Sequence, residues 1–174
     1  RDAFLFKMYQ AFGYHFDFIA IPIIKKRLRS DTSKVILDEA RPQLTEHLAT
    51  RFRQKIGQNV NLLGEVVLGN GEADHRYHHY LEALEAPDIN YISVKISGIY
   101  AQTHALNYAE SFPELVKRMS ALYQKAMDYP YVDENGVKRA KFVNLDMEEY
   151  KDAHFPLRLF KEVLNNVLSG SERS

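Results

Sequence analysis

Residues 91–97, Tyr-Ile-Ser-Val-Lys-Ile-Ser, constrain this chain more than any other stretch. The segment is short, rich in β-branched residues and alternating. Successive side chains of a strand point to opposite sides, so Ile92, Val94 and Ile96 share one face. Tyr91, Ser93, Lys95 and Ser97 share the other. A lysine in the middle of such a strand is costly to bury unless something anionic meets it. Two further segments have the same character. In residues 59–68, Asn61 and Glu65 fall on one parity; in residues 141–147, Asn144 and Asp146 do. Three strands that each carry polar groups on one face suggest the wall of a ligand site.

Helical periodicity fills the intervals. Leu44, Leu48, Phe52 and Ile56 recur every fourth residue behind Pro42, with Gly57 as a stop signal. Ala73, Tyr77, Leu81 and Leu84 mark a second helix, with Pro87 just past its end. After a loop from Gly98 to Ala105, a longer helix carries Phe112, Leu115, Val116, Met119, Leu122, Tyr123 and Ala126. A turn at residues 133–136 follows. Leu159, Phe160, Val163, Leu164 and Val167 mark a last helix, and Ser169-Gly170-Ser171 opens a polar tail. The order β-α-β-α-β-α implies a parallel sheet with crossover helices.

Both a doubly wound sheet and a TIM barrel begin this way. The recurrence of polar groups on one strand parity favours the barrel. So does the lack of a phosphate loop after the first strand, since Gly69-Asn70-Gly71 does not match Gly-x-Gly-x-x-Gly. A barrel needs eight strands, so three would leave open edges. The expected fold is therefore α/β: an N-terminal helical arm and connector over residues 1–41, then the first three β/α units of an incomplete TIM barrel over residues 42–174. In the arm, Phe4, Phe6, Tyr9, Phe12, Tyr14, Phe16 and Phe18 precede Lys25, Lys26, Arg27 and Arg29. One or two helices, interrupted near Gly13 and Pro22, are expected there. Asp31-Thr32-Ser33 reads as a cap or turn, and Val35-Ile36-Leu37 as a short apolar patch.

The composition sets outer limits. Formal net charge is zero, which argues against nucleic acid as the main partner. There is no cysteine, so disulfides, thiolate metal sites and cysteine nucleophiles are excluded, in keeping with a reducing compartment. No run of ~18 apolar residues suggests a spanning helix. The chain opens on Arg1, as expected of an excerpt or a processed form.

Three motifs occur in order at barrel-strand spacing: Asn61-Leu62-Leu63-Gly64-Glu65, Ile92-Ser93-Val94-Lys95-Ile96-Ser97 and Asn144-Leu145-Asp146-Met147-Glu148-Glu149. They resemble the first three strands of the flavin-dependent proline dehydrogenase barrel. The lead-in from Arg27 to Lys34, Arg-Leu-Arg-Ser-Asp-Thr-Ser-Lys, resembles the bacterial branch in which this domain is fused to a glutamate-semialdehyde dehydrogenase. The resemblance runs from about Ile24 to Leu168.

This resemblance implies an FAD flavoprotein of proline catabolism that oxidises L-proline to pyrroline-5-carboxylate and passes electrons to a quinone. It implies a cytoplasmic location, with peripheral association at the inner membrane. Lys95 matches the lysine that helps hold the substrate carboxylate. Asp146 matches an active-site aspartate beside the flavin, and Glu65 a glutamate that pairs with an arginine and gates the pocket. The family's carboxylate-gripping arginines and main flavin contacts come from later strands and the last helix, so the chain alone is expected to be inactive or weakly flavin-binding.

The residues agree with that chemistry. An amino-acid carboxylate needs a cation in a shielded site, which Lys95 supplies. Glu65 and Asp146 supply the partners that a buried charge requires. A flavin carries the hydride chemistry, so no nucleophile or metal signature is needed.

Each residue also has a plainer reading. Lys95 can cap a strand end in solvent, Asp146 can cap the following helix, and Glu65 can belong to a surface ion pair. Glu148 and Glu149 suit a helix start. His75, His78 and His79 have helical spacing but no completing ligand, and read as a solvated helix face rather than a zinc site. Residues 133–136 lack the ligand ladder of a calcium loop. The basic cluster at Lys25–Arg29 reads as a solvated helix end.

Two other functions fit the same residues. One is a TIM-barrel lyase or aldolase with Lys95 as Schiff base. The other is a non-catalytic interaction module that uses the aromatic helices and the open sheet edge.

Overall fold

The computed structural model describes residue 7, residues 17–32, 36, 41–62, 67, 69–101, 108–146 and 153–171. The chain forms two compact units, Arg1–His47 and Leu48–Ser174.

The first unit contains helix α1 (Asp17–Thr32). The interruption expected at Pro22 does not occur. A proline removes one amide donor from the helix ladder, and α1 runs through it. Nor do Asp31 and Thr32 form a cap or turn outside the helix, because they make up its last turn. Arg27 Nε lies 3.0 Å from Asp31 Oδ2, and Thr32 Oγ1 donates to the Leu28 carbonyl at 2.8 Å. Lys25, Lys26, Arg27 and Arg29 are exposed. Of the apolar patch after α1, only Ile36 is described, and it is exposed; the expected break at Gly13 lies outside the described residues.

Helix α2 (Arg41–Arg53) carries Pro42 in its first turn, as expected. It ends at Arg53, four residues before the glycine signal at Gly57. The stop is Lys55, in the left-handed region at φ 58°. The Lys55 amide donates to the Phe52 carbonyl at 2.9 Å and the Ile56 amide to the Arg51 carbonyl at 3.1 Å. That pair of bonds is the Schellman arrangement, here built on a lysine where glycine is usual.

The second unit holds a three-stranded parallel sheet. Its strands are β1 (Val60–Asn61), β2 (Tyr91–Lys95) and β5 (Phe142–Asp146), in the spatial order β1-β2-β5. A short antiparallel hairpin, β3 (Tyr131–Val132) and β4 (Lys138–Arg139), precedes β5. The first strand is described only over two residues; residues 63–66 and 68 of the expected strand lie outside the described set. Helix α3 (Asn70–Glu85) links β1 to β2. A single helical turn, α4 (Ile96–Ile99), follows β2. Helix α5 (Tyr108–Asp128) leads to the hairpin, and α6 (His154–Ser171) follows β5. The expected polar tail at Ser169 is still helix.

The strand expected over residues 91–97 stops at Lys95. Ile96 and Ser97 belong to the helical turn and are both buried, so Ser97 does not extend the polar strand face. Helices α3 and α5 pack on the sheet and on each other, and α5 packs on α6. The core is Ile92 and Val94 of β2 with Leu115, Met119, Leu122 and Ala126 of α5, Leu84 of α3, and Leu159 and Val163 of α6. The α5 stripe is the one expected. On α3 the buried face is rotated: Tyr80 and Ala83 are buried with Ala73 and Leu84, while Tyr77 and Leu81 are half-buried.

At the hairpin, Asp133 organises the turn. Its Oδ1 accepts the amides of Asn135 and Val137, each at 2.9 Å, and its Oδ2 meets Arg139 Nε at 2.5 Å. Gly136 occupies the left-handed region at φ 75°, where a side chain would be strained.

Candidate active site

The parallel pairing of β2 with β5 builds the site row by row. Tyr91 is opposite Phe142, Ser93 opposite Asn144, and Lys95 opposite Asp146. These six residues share one parity, so they stack along one face of the sheet. The first row is aromatic, with ring centroids 4.8 Å apart in an edge-to-face arrangement. The second row is neutral and polar. Ser93 is buried, and its Oγ accepts from Asn59 Nδ2 at 2.7 Å and from Asn144 Nδ2 at 3.2 Å. Asn61 of β1 is the register partner of Ser93 on the other side. The third row, at the carboxyl ends of both strands, is charged. Polarity thus rises towards the end where parallel α/β sheets bind ligands.

Lys95 and Asp146 are both half-buried. Neighbouring strands lie about 4.8 Å apart, so a cation and a carboxylate end up side by side, partly shielded from water. The parity argument from sequence put each residue on the polar face. The register shows that they occupy the same row. Glu65, the third expected site residue, lies outside the described residues, as do Glu148 and Glu149.

The turn after Lys95 is held by a residue that periodicity did not single out. Arg118 of α5 donates from Nη1 to the Ile99 carbonyl at 2.7 Å, from Nη2 to Asp74 Oδ1 at 2.5 Å and from Nε to Glu114 Oε1 at 3.1 Å. Its guanidinium carbon is 5.2 Å from the Tyr77 ring centroid. Burial pulls the guanidinium pKa down, but hydrogen bonds to Glu114 and Asp74 outweigh it and leave the pKa raised. Tyr123 of α5 adds a second tie, donating its hydroxyl to the Val143 carbonyl of β5 at 3.1 Å. Burial raises the pKa of this phenol. Asn59 and Arg118 were not flagged by the sequence because each acts on a partner distant in the chain.

His78 Nδ1 lies 2.7 Å from the Asp74 carbonyl, and the His75 and His79 rings lie 4.3 Å apart. Among the described residues, no group of three or more histidines and carboxylates is arranged to hold a metal. Among them too, no helix is long and apolar enough to cross a membrane.

A parallel sheet with covering helices, and with Lys95 and Asp146 in register at its carboxyl edge, defines the class as parallel α/β. The comparisons narrow it. The proline dehydrogenase family profile matches residues 44–172, more than half of the chain. The chain belongs to the proline dehydrogenase family. Among solved structures, it is similar to proline utilization A from Corynebacterium freiburgense, at 37% identity and a TM-score of 0.66. That match covers 79% of this chain and 14% of the other. It is also similar to proline utilization A from Bdellovibrio bacteriovorus, inactivated by N-propargylglycine, at 27% identity and a TM-score of 0.67. There it covers 83% of this chain and 16% of the other. The chain therefore spans only a small part of the length of these relatives. No curated protein matches the sequence.

Proposed function

We propose that this chain is the first part of a proline dehydrogenase domain, and that the intact polypeptide oxidises L-proline to pyrroline-5-carboxylate with FAD as hydride acceptor. The observation that carries this reading is the Lys95–Asp146 row at the carboxyl edge of the sheet, in a chain of this family. Lys95 presents a cation to the substrate carboxylate, and a partly shielded position strengthens that attraction. Asp146 is its register partner on β5, where it would orient the lysine and help to hold bound FAD. Glu65 gates the same pocket through an arginine elsewhere in the polypeptide.

The donor set fits the substrate side of such a site: a cation for a carboxylate, a carboxylate beside it, and a neutral hydrogen-bonded row beneath. Bound FAD would supply the hydride acceptor, so the protein's own task is orientation and electrostatics.

The unidirectional strand order β1-β2-β5 supports reading residues 42–174 as the first three β/α units of a TIM barrel, with residues 1–41 as a helical arm. On the same reading the intact protein passes electrons to a quinone, works in the cytoplasm with peripheral contact to the inner membrane, and is fused to an aldehyde dehydrogenase domain. The 174-residue chain alone does not turn over proline.

The test is the anaerobic visible spectrum of the intact polypeptide before and after L-proline. Bleaching of a bound flavin is the expected result. A bound flavin that proline leaves oxidised would refute the substrate, and failure to bind flavin even on reconstitution would refute the reading as a whole. Flavin reduction by the isolated chain would contradict the requirement for later strands.

A further inference from the structure

Arg118 is costly for what it holds. Its side chain is only 15% exposed. Desolvating a guanidinium is unfavourable unless its donors are met, and three of its nitrogens are engaged: with Asp74 of α3, with Glu114 of its own helix and with the Ile99 carbonyl. The first two contacts neutralise and aim the fork. The third is the one that leaves α5 for the sheet edge. Ile99 is the last residue of a single helical turn, where carbonyls lack an intrahelical partner. That turn starts at the residue after Lys95, which is its N-cap and makes no side-chain capping bond.

The turn lies against β2 and α3: a methyl built on Gly98 would make ordinary contact with Lys95 Cβ at 3.8 Å and with the Tyr80 hydroxyl at 3.9 Å. Only three residues, Ile96, Ser97 and Gly98, lie between Lys95 and the residue whose carbonyl is clamped. A planar fork fixes direction as well as distance, which an ammonium group does not.

We propose that Arg118 is a positioning residue: by clamping the Ile96–Ile99 turn to α3 and α5, it fixes the direction in which Lys95 leaves the end of β2. This rests on the reading of Lys95 as the carboxylate-binding cation. Arg118 touches neither substrate nor cofactor, and acts through the turn.

The test uses the intact, flavin-loaded polypeptide with Arg118→Lys and Arg118→Met. Arg118→Lys keeps the positive charge and carries the test if Arg118→Met does not fold. Binding of cyclopentanecarboxylate, a proline isostere without the ring nitrogen, is read from the flavin spectrum. Small displacements of a binding group are expensive, so Arg118→Lys is expected to weaken binding about tenfold or more. On a Lys95→Met background the same substitution is expected to change nothing further, because coupled residues are non-additive. Unchanged binding in Arg118→Lys, or equal weakening on both backgrounds, overturns the proposal, since a merely structural role acts regardless of Lys95.

A second readout is independent of substrate: competitive acetylation of Lys95 as a function of pH, followed by mass spectrometry. A shifted profile in Arg118→Lys supports the proposal, and an unchanged one overturns it. If the parent protein binds flavin but does not oxidise proline, the functional reading fails, while the Lys95 profile still decides the role of Arg118.

Discussion

Two lysines stand at opposite ends of the same small sheet. Lys95 closes β2 at the carboxyl end, half-buried beside Asp146. Lys141 precedes β5 at the amino end and is 5% exposed. Its Nζ donates to the Ala86 carbonyl, its amide donates to the Ala126 carbonyl at 3.0 Å, and the next amide, of Phe142, donates to the Asn90 carbonyl at 2.9 Å. Lys141 thus ties together the ends of α3 and α5 and the start of β5. The more deeply buried lysine is the structural one. Its charge is met by a backbone dipole inside the fold, whereas Lys95 lies at the edge where a ligand can approach. In parallel α/β architectures, binding groups gather at the carboxyl ends of strands and loops there vary around a fixed scaffold.

The largest expected effect is on the functional side. Lys95→Met in the intact protein should lower kcat/KM for L-proline by about 100-fold, the loss of about 2–3 kcal/mol from one charge-assisted contact. Thermal stability should move by no more than about 0.5 kcal/mol. Steady-state kinetics with a melting curve checks both, and a large loss of stability would erase the contrast.

Lys141→Met should show the reverse. Loss of a bond from a charged donor should cost about 1–2 kcal/mol of stability, with turnover per bound flavin unchanged. Denaturant unfolding gives the first quantity. Unaltered or increased stability would mean that the desolvation of Lys141 had outweighed its contacts.

Tyr123→Phe sharpens the comparison from the helix side. It removes the hydroxyl bond to Val143 and should cost about 1 kcal/mol. In the parent protein, burial raises the phenol's folded-state pKa. Its contribution is therefore full below the ordinary phenol range and is lost as pH rises through the raised folded value. A stability profile at alkaline pH should flatten in Tyr123→Phe.

The smallest effect lies at the exposed hairpin. The Arg139 side chain, chiefly, and the Val137 and Asn135 amides hold the Asp133 carboxyl below its ordinary range. Its contribution is present above the unfolded value and disappears as pH falls through the lower, folded one. Carboxyl chemical shifts in an NMR titration should show Asp133 protonating below the ordinary aspartate range. Protonation within the ordinary aspartate range would show that the turn bonds do not persist in solution.

The element order was readable because hydrophobic period is local. The stripe Leu115, Met119, Leu122 and Ala126 reports a helix face without knowledge of what covers it. Boundaries set by competing neighbours were less readable. The alternation of residues 91–97 continues through Ile96 and Ser97, yet the chain turns helical there, because the turn buries all four of its residues and has its last carbonyl met by Arg118. Pro22 and Lys55 show the same limit in the opposite sense. A breaker was tolerated within α1, and a residue with no breaker signature ended α2.

The sequence by itself determined the alternating α/β order, the polar parity of β2 and β5, and the motifs that mark the proline dehydrogenase family. These follow from side-chain period and residue type, which need no partner. Only the tertiary structure decided that Lys95 and Asp146 share a row, that Lys141 is a buried tie, and that Arg118 clamps the turn that follows Lys95. Register, burial and long-range hydrogen bonds depend on groups tens of residues apart in the chain, and folding alone brings them within a few ångströms.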